Sequence, residues 1–201
     1  MQDIAILIPA AGASRRMRGR DKLLEPLDGV ALLRRQAQRA LGTGAHVAIT
    51  LPDHDHPRAA VLAGLPVQPV AVPDAASGMA ASIRRGVAML PPGMRAIMVL
   101  PADMPDLTTA DLKQVIGAFD ALPQPMLVQA TGADGTPGHP VLFPADCLSA
   151  LLLLSGDEGA RRVLRANAHR LRHVTLPGRN ALTDLDTPEA WDSWRAENAP
   201  A

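Results

Sequence analysis

The chain has one cysteine among its 201 residues, which excludes an intramolecular disulfide and any metal cluster held by several cysteines. That residue, Cys147, lies in the apolar run LFPADCLSALLLL, which is typical of a buried structural thiol. The chain also lacks a stretch of about 18 apolar residues, the length needed to span a bilayer. Its N-terminus, MQDIAILIPAAG, has no basic segment of the kind found in signal peptides. We therefore expect a cytoplasmic protein without a membrane partner.

An excess of charge of one sign is absent as well, since 20 Lys and Arg balance 20 Asp and Glu. A neutral chain disfavours broad binding to nucleic acid, which usually requires a basic domain, so we expect no nucleic-acid partner. Lysine is scarce: the chain has two lysines, Lys22 and Lys113, and arginine supplies the remaining formal positive charge. Positive charge is concentrated in RRMRGRDK at 15–22, which favours a small anionic ligand. A lysine retained among these arginines suggests a need for its compact, flexible ammonium.

Apolar runs alternate with amphipathic segments along most of the chain, and 47% of its residues are hydrophobic. That length and composition can bury one core, so we expect a single domain over residues 1–201. The pattern predicts strands at 3–9, 46–51, 67–72, 96–101, 126–131, 140–143 and 171–176, with Pro69 marking 67–72 as an edge strand. It predicts helices at 31–42, 78–90, 108–122 and 156–168, with Ser77 as the N-cap of the second.

Strands that alternate with helices imply right-handed crossovers and a mostly parallel sheet. We therefore expect an α/β fold, namely a three-layer α/β/α sandwich around a Rossmann-like sheet. The segments MLVQAT and PVLF break the alternation, because the Gly- and Pro-rich GADGTPGH separates them. This break predicts a local antiparallel pair.

Ligands of such sheets bind beyond the carboxyl ends of the strands. The segment AAGASRRMRGRDK follows the first predicted strand, PDAASGMAAS follows 67–72 and ADMPD follows 96–101. The first of these has neither the Gly-Lys-Ser/Thr of a Walker loop nor the G-x-G-x-x-G spacing of dinucleotide folds. It is still a strand followed by a glycine-containing loop, in which backbone N–H groups can point at an anion. The alternative is a basic loop that water solvates.

Carboxylates follow two of the predicted elements. Asp103 lies just past a buried strand, where it can be a Mg²⁺ ligand, completed by phosphate and water, or a residue that forms the turn. In TDLDTPEAW, Thr187 as N-cap and Pro188 at the first helical position explain part of the pattern. They do not explain the paired Asp184 and Asp186.

The histidines give weaker signals. His54 and His56 in PDHDHP have no further ligand cluster nearby, so a polar surface loop is the favoured interpretation over a metal site. His139 in GHPVLF begins a predicted strand, and a binding role and a structural role are both open for it.

Taken together, these segments resemble the MobA-like nucleotidyltransferases, and within them the molybdenum cofactor cytidylyltransferase branch. The resemblance covers nearly the whole chain in order, through PAAGASRRM…DKLLEPL, GMAASIRRG, PADMP, GHPVLF, GDEGARRVL and LDTPEA. It implies a fold like that of the nucleotide-diphospho-sugar transferases and a dependence on Mg²⁺. The partners that it implies are CTP, molybdopterin and a molybdoenzyme that receives the cofactor.

The resemblance also implies roles for individual residues. Arg16, Lys22 and Asp103 would be catalytic, and Asp103 with Asp186 would hold the metal. His139 would face the second substrate. Triphosphate and base would be bound by Ala10, Ala11, Gly12, Ala13, Ser14, Lys22, Gly78, Met79, Ser82 and Asp103.

One position departs from the family pattern. The family's loop usually continues Arg-Met-Gly, whereas Arg18 follows Met17 here and the glycine comes at Gly19. We expect this change to shift the turn of the loop.

The implied reaction is transfer of CMP from CTP to molybdopterin with release of pyrophosphate. GTP-using relatives typically carry Gly-Gly after the first strand, whereas this chain has Ala10-Ala11, as in the cytidylyl branch. Two alternatives remain open. One is a transferase of the same fold that uses GTP or acts on a sugar or alcohol phosphate. The other is a nucleotide-binding maturation factor for a molybdoenzyme that catalyses no transfer.

Overall fold

The computed structural model describes residues 3–156 and 159–198. Its helices are α1 (Leu32–Leu41), α2 (Pro57–Ala60), α3 (Met79–Ala88), α4 (Thr109–Asp120), α5 (Leu148–Leu152), α6 (Arg161–Ala166) and α7 (Pro188–Glu197). Its strands are β1 (Ile4–Pro9), β2 (Pro26–Leu27), β3 (Val30–Ala31), β4 (His46–Leu51), β5 (Gln68–Ala71), β6 (Ala96–Val99), β7 (Leu127–Thr131), β8 (Pro137–Pro144) and β9 (Leu171–Thr175). No helix in these ranges is both long enough and apolar enough to cross a membrane.

Seven of these strands form one sheet in the order β5-β4-β1-β6-β8-β7-β9, and β2 pairs with β3 in a small separate hairpin. Neighbours in the large sheet run parallel except around β8, which is antiparallel to both β6 and β7. The expected antiparallel pair is therefore confirmed, although β8 also pairs with β6. As its proline indicated, β5 lies at an edge of the sheet.

Alternating side chains of the strands build a core on each face of the sheet. In β1, Ile4, Ile6 and Ile8 pack in the cluster that contains residues of α1, α4 and α7, whereas Ala5 and Leu7 pack with residues of α3, α5 and α6. Both clusters are almost fully buried, and each buried Ile or Leu stabilises the fold by roughly 1.5–3 kcal/mol. The three-layer α/β/α sandwich is confirmed.

Local sequence explains where α4 and α7 begin. Thr108 and Asp111 form a capping box at the start of α4, in which each side chain bonds to the backbone N–H of the other residue. The Thr187 side chain caps α7, with Pro188 at its first position, as expected. Helix 156–168 is shorter than expected at its start, since α6 begins at Arg161. Two residues of the motif GDEGARRVL, Asp157 and Glu158, lie outside the described residues.

The prediction for the start of α3 was wrong. Ser77 lies in a short 3₁₀ turn, and the N-cap of α3 is Gly78, which has φ 98° and no side chain to cap with. That positive φ is readily adopted by glycine alone, and it turns the chain sharply between the 3₁₀ turn and the helix. The sharp turn removes the Ser77 side chain from the capping position.

Candidate active site

A cleft of about 940 Å³ opens at the carboxyl ends of β1, β4 and β6. The loop after β1 forms one wall, and the first turns of α3 and the segment after β6 form the others. The cleft brings together nearly all the residues that the sequence singled out: Ala10, Ala11, Gly12, Ala13, Ser14, Arg16, Lys22, Gly78, Met79, Ser82, Asp103 and Asp186.

The loop over residues 10–22, which we call the phosphate loop, leaves several backbone donors unused. Within the described residues, the N–H groups of Ala11, Gly12, Ala13 and Ser14 have no protein acceptor. Ala10 ends the regular pairing, since its N–H donates to the Thr50 carbonyl oxygen of β4 at 3.0 Å. Successive free N–H groups of this kind favour an anion beside the loop.

The shift of the loop turn that we expect at Arg18 stays a prediction, and the backbone shows how this chain makes the turn. Arg18 adopts φ 53°, a left-handed conformation that favours glycine, and Gly19 follows with φ 91°. The Arg18 guanidinium donates to the Glu189 carboxylate at 2.6 Å, and the buried Met17 anchors the loop in the core. The chain therefore makes a left-handed turn at this position with an arginine.

Lys22 lies between two carboxylates at the base of the cleft. Its ammonium donates to both Asp103 and Asp186, and Asp186 also accepts from Arg16. Burial alone would lower the pKa of Lys22, but the charges and hydrogen bonds of Asp103 and Asp186 outweigh it, so the pKa is raised. For Asp186, burial acts in the opposite direction to Lys22 and Arg16, and its pKa is lowered. The lysine is therefore held as a cation.

The backbone explains why two distant segments meet here. The N–H of Leu185 donates to the carbonyl oxygen of Asp103 at 3.0 Å, which ties the segment before α7 to the end of β6. This tie presents Asp186 to the cleft. Burial raises the pKa of Asp184, and the neighbouring Asp103 and Asp186 carboxylates raise it further. The two aspartates that the sequence left unexplained, Asp184 and Asp186, therefore lie close to Asp103.

These residues fit a hard divalent cation. Asp103 and Asp186 offer carboxylate oxygens with side chains 18% exposed, and they already share one positive charge. The described residues contain no group of three or more His, Cys, Asp and Glu side chains arranged to hold a metal. Two carboxylates are nevertheless enough for a cation such as Mg²⁺, which keeps several waters and takes other ligands from substrate phosphates.

The histidines take other places. His139, in the first part of β8, is not among the described residues that line the cleft, and its backbone N–H donates to the carbonyl oxygen of Ala181 at 2.9 Å. Its side chain is exposed; partial desolvation lowers the pKa of its imidazole, opposed by Asp103 and reinforced by Arg161. His56 accepts from the Arg58 N–H at 3.2 Å and so caps α2. The interpretation of PDHDHP as a polar surface loop agrees with the exposure of residues 53–55.

Two residues of the cleft, Asp21 and Arg58, were missed by sequence reasoning. Arg58 is 2% exposed, and its guanidinium contacts the Asp21 carboxylate and carbonyl oxygens of the phosphate loop. A signal was present: Arg58 is a lone charge in PRAAVLAGL, a segment that is otherwise apolar. The sequence shows that Asp21 directly precedes Lys22, but it does not show that the Asp21 carboxylate pairs with Arg58.

A small apolar cluster forms another part of the cleft wall. Ala11, Val72 and Ala81 are buried against one another, with Ala75 packed beside them. Ala11 and Ala75 also belong to the lining of the cleft.

The chain is similar to known proteins along most of its length. The family model described as the MobA-like NTP transferase domain matches residues 6–174. The purine catabolism protein PucB of Bacillus subtilis is 30% identical, over 92% of this chain and 93% of its own length. The molybdenum cofactor guanylyltransferase of Cupriavidus metallidurans is 31% identical, over 92% of this chain and 91% of its own length.

A solved structure is also similar along the whole fold. Rv0371c of Mycobacterium tuberculosis H37Rv is 28% identical with a TM-score of 0.80, and the alignment covers 96% of each chain. A crystal structure of Rv0371c in complex with manganese aligns at 25% identity and a TM-score of 0.78, covering 94% of this chain and 96% of that one.

Proposed function

This chain belongs to the MobA-like NTP transferase family, and on that basis we propose that it transfers the cytidylyl group of CTP to molybdopterin with release of pyrophosphate. The observation that carries the proposal is the juxtaposition of free loop N–H groups with Lys22, Asp103 and Asp186 in one cleft. A nucleoside triphosphate requires hydrogen-bond donors for its phosphate oxygens and positive charge beside them. The loop N–H groups provide the donors, and the Lys22 ammonium, held by two carboxylates, provides the charge.

In the proposed reaction, a terminal phosphate oxygen of molybdopterin bonds to the α-phosphorus of CTP. The bond from that phosphorus to the bridging oxygen breaks, and pyrophosphate leaves with the electron pair. Such a displacement depends on positioning and charge neutralisation rather than on a covalent intermediate with the protein. The N–H groups of Ala11, Gly12, Ala13 and Ser14 would bind phosphate oxygens, and Lys22 would neutralise charge on the leaving pyrophosphate. Arg16, which pairs with Asp186 and has a side chain 71% exposed, lines the same cleft and would add positive charge beside these phosphates.

Asp103 and Asp186 would hold a divalent cation, and we propose Mg²⁺. When bound, the cation supplies positive charge that neutralises phosphate oxygens and helps to orient the α-phosphate. The manganese complex of Rv0371c supports a divalent cation in a protein of this fold. His139, at the start of β8, would contact molybdopterin, and the product would pass to a molybdoenzyme.

The preference for CTP rests on the bulk of the cleft wall. Ala11 and Ala75 line the cleft beside α3 and pack with Val72 and Ala81, and we propose that this wall of small apolar residues favours a pyrimidine over the larger purine. Polar groups of the loop that hydrogen-bond the edge of cytosine would have no partners when guanine is bound. Buried polar groups without partners weaken binding. We expect kcat/KM for CTP to exceed that for GTP by at least about tenfold, or about 1.4 kcal/mol.

Steady-state assays with molybdopterin, Mg²⁺ and each of the four NTPs test the whole proposal through pyrophosphate release. Ala11→Gly is a matched variant, because it removes the methyl group without changing charge, and it should reduce the CTP preference. A preference for GTP would instead match the guanylyltransferase relative and refute the cytidylyl assignment. Tight NTP binding without pyrophosphate release would favour a maturation factor that catalyses no transfer.

A further inference from the structure

Arg58 is a buried cation with all of its observed side-chain contacts on the phosphate loop. The guanidinium donates to the carbonyl oxygens of Ala10 and Gly12 at 2.6 and 2.8 Å, and to the Ser14 hydroxyl at 3.0 Å. It also forms a two-point contact with the Asp21 carboxylate, at 2.7 and 2.8 Å. A charge that is 2% exposed must be paired and hydrogen-bonded to be tolerated, and the loop meets that requirement.

These contacts determine which way the loop peptides face. In a trans peptide, the C=O of one residue and the N–H of the next point in opposite directions. Arg58 draws the carbonyl groups of Ala10 and Gly12 toward itself, so the N–H groups of Ala11 and Ala13 face away from it. Those N–H groups are among the donors without a protein acceptor in the described ranges.

The Asp21 contact fixes the other end of the same loop. The Asp21 carboxylate also accepts from the Leu23 N–H at 3.0 Å and from the Ser14 hydroxyl at 3.3 Å. Burial opposes ionisation of Asp21, but the hydrogen bonds and charge of Arg58 outweigh it, and the pKa of the carboxyl is lowered. Arg58 therefore ties residues 10–14 to the residue that immediately precedes Lys22.

We propose that Arg58 is the positioning residue of the phosphate loop, holding its N–H groups and Lys22 in the arrangement that receives a triphosphate. The inference rests on the proposed nucleotidyl transfer, and Arg58 acts through the loop rather than on the reacting atoms. A guanidinium fork is required, because a lysine ammonium cannot make the two-point carboxylate contact and reach both carbonyl groups.

The test compares Arg58→Lys, Arg58→Ala and Asp21→Asn with the wild type by calorimetric titration of Mg²⁺-CTP and of pyrophosphate. We expect at least tenfold weaker binding in each variant with secondary structure retained. Guanidinium ion at tens of millimolar should restore binding to Arg58→Ala, whereas methylammonium at the same concentration should not. A general loss of stability would not show this selectivity between cations.

Arg34→Ala is the matched control, because Arg34 donates to the carbonyl oxygens of Val61 and Ala63 just after α2 but makes no recorded contact with the loop. It should bind nucleotide like the wild type. Trypsin gives a measurement that needs no ligand, since the loop contains Arg15, Arg16, Arg18 and Arg20. Cleavage there should be faster in Arg58→Lys and Asp21→Asn than in Arg34→Ala.

The outcomes separate the two proposals. Faster cleavage in the variants, with no NTP bound even by the wild type, would support the tie and refute the proposed function. Wild-type binding and wild-type cleavage in folded Arg58→Lys and Asp21→Asn would overturn the role of Arg58 and leave the proposed function standing.

Discussion

Removing the Lys22 ammonium should strengthen metal binding by the nucleotide-free protein while it weakens turnover. In the free protein this ammonium lies between the carboxylates that we assign to the divalent cation, Asp103 and Asp186. A metal that binds both carboxylates must displace the lysine. The variant Lys22→Met keeps most of the side-chain volume and removes that competitor. Metal affinity should therefore rise while turnover falls, whereas a general defect of the site would lower both.

The size of the effect follows from burial. One ion pair at 4 Å contributes about 1 kcal/mol in water and about 4 kcal/mol at an effective dielectric constant of 20. The side chains of Lys22 and of both aspartates are 17–18% exposed, which places their contacts between these limits. A displaced lysine regains its hydration, so we expect a net gain of about 1.4 kcal/mol, or about tenfold in Mn²⁺ affinity. In Lys22→Met the ammonium no longer neutralises the charge of the leaving pyrophosphate, and we expect kcat to fall by about 10²-fold or more.

Titration of Mn²⁺ followed by electron paramagnetic resonance measures the affinity, at about pH 8, which is well above the ordinary pKa of a carboxyl group. Lys113→Met is the matched control, since it removes the second lysine from the exposed face of α4 and changes net charge equally. Asp103→Asn should lose Mn²⁺ binding in either background. An affinity in Lys22→Met no higher than in Lys113→Met would refute the competition, and unchanged turnover would refute the catalytic role.

Asp103→Asn should nearly abolish pyrophosphate release because it removes one of two carboxylates, and an unchanged melting temperature would show that the fold survives. Gly86→Ala should destabilise the protein by about 1–3 kcal/mol in urea unfolding, because the new Cβ would lie 2.3 Å from Leu7 Cδ1. Gly117→Ala, in open space on α4, should instead stabilise it by about 0.5–1 kcal/mol; equal effects would refute the steric argument. Burial raises the pKa of Cys147 to about 11, so the stability from its neutral thiol is present below the unfolded pKa and lost as pH rises toward that value. Ellman's reagent at about pH 8 should react slowly before denaturation and quickly after it, and fast reaction in the native protein would contradict this.

The sequence predicted the central strands β1 and β6 well because each is a continuous apolar run, and a sheet covered on both faces requires such runs. It predicted the cleft for a related reason, since parallel strands end at one edge and the segments after them must meet there. The start of α3 was missed because the positive φ of Gly78 changes the path of the chain, which a capping pattern does not encode. The position of β8 between β6 and β7 depends on packing between distant segments, so local pattern could not give it.

Arg58 shows the main limit of such reasoning. Its partners lie 37 to 48 positions away along the chain, and its side chain is buried although arginine is usually exposed. No local periodicity connects such a residue with the loop that it holds. Lys22 was identified by its rarity, but its place between Asp103 and Asp186 required the folded positions of three segments.

The reversed direction of β8 affects the edge of the sheet at which the cleft opens. Because of it, the β7–β8 turn at that edge can change length independently of the phosphate loop. Parallel strands present their ends there, whereas β8 presents its beginning, directly after the turn at 132–136. The register of β8 is fixed farther along, where Phe143 and Pro144 pair with β6. Residues added within that turn would extend the same edge of the sheet, outside the described lining of the cleft, while the strand register and the phosphate loop stay in place. A change in the length of the β7–β8 hairpin alone could therefore adapt this fold to a different acceptor molecule.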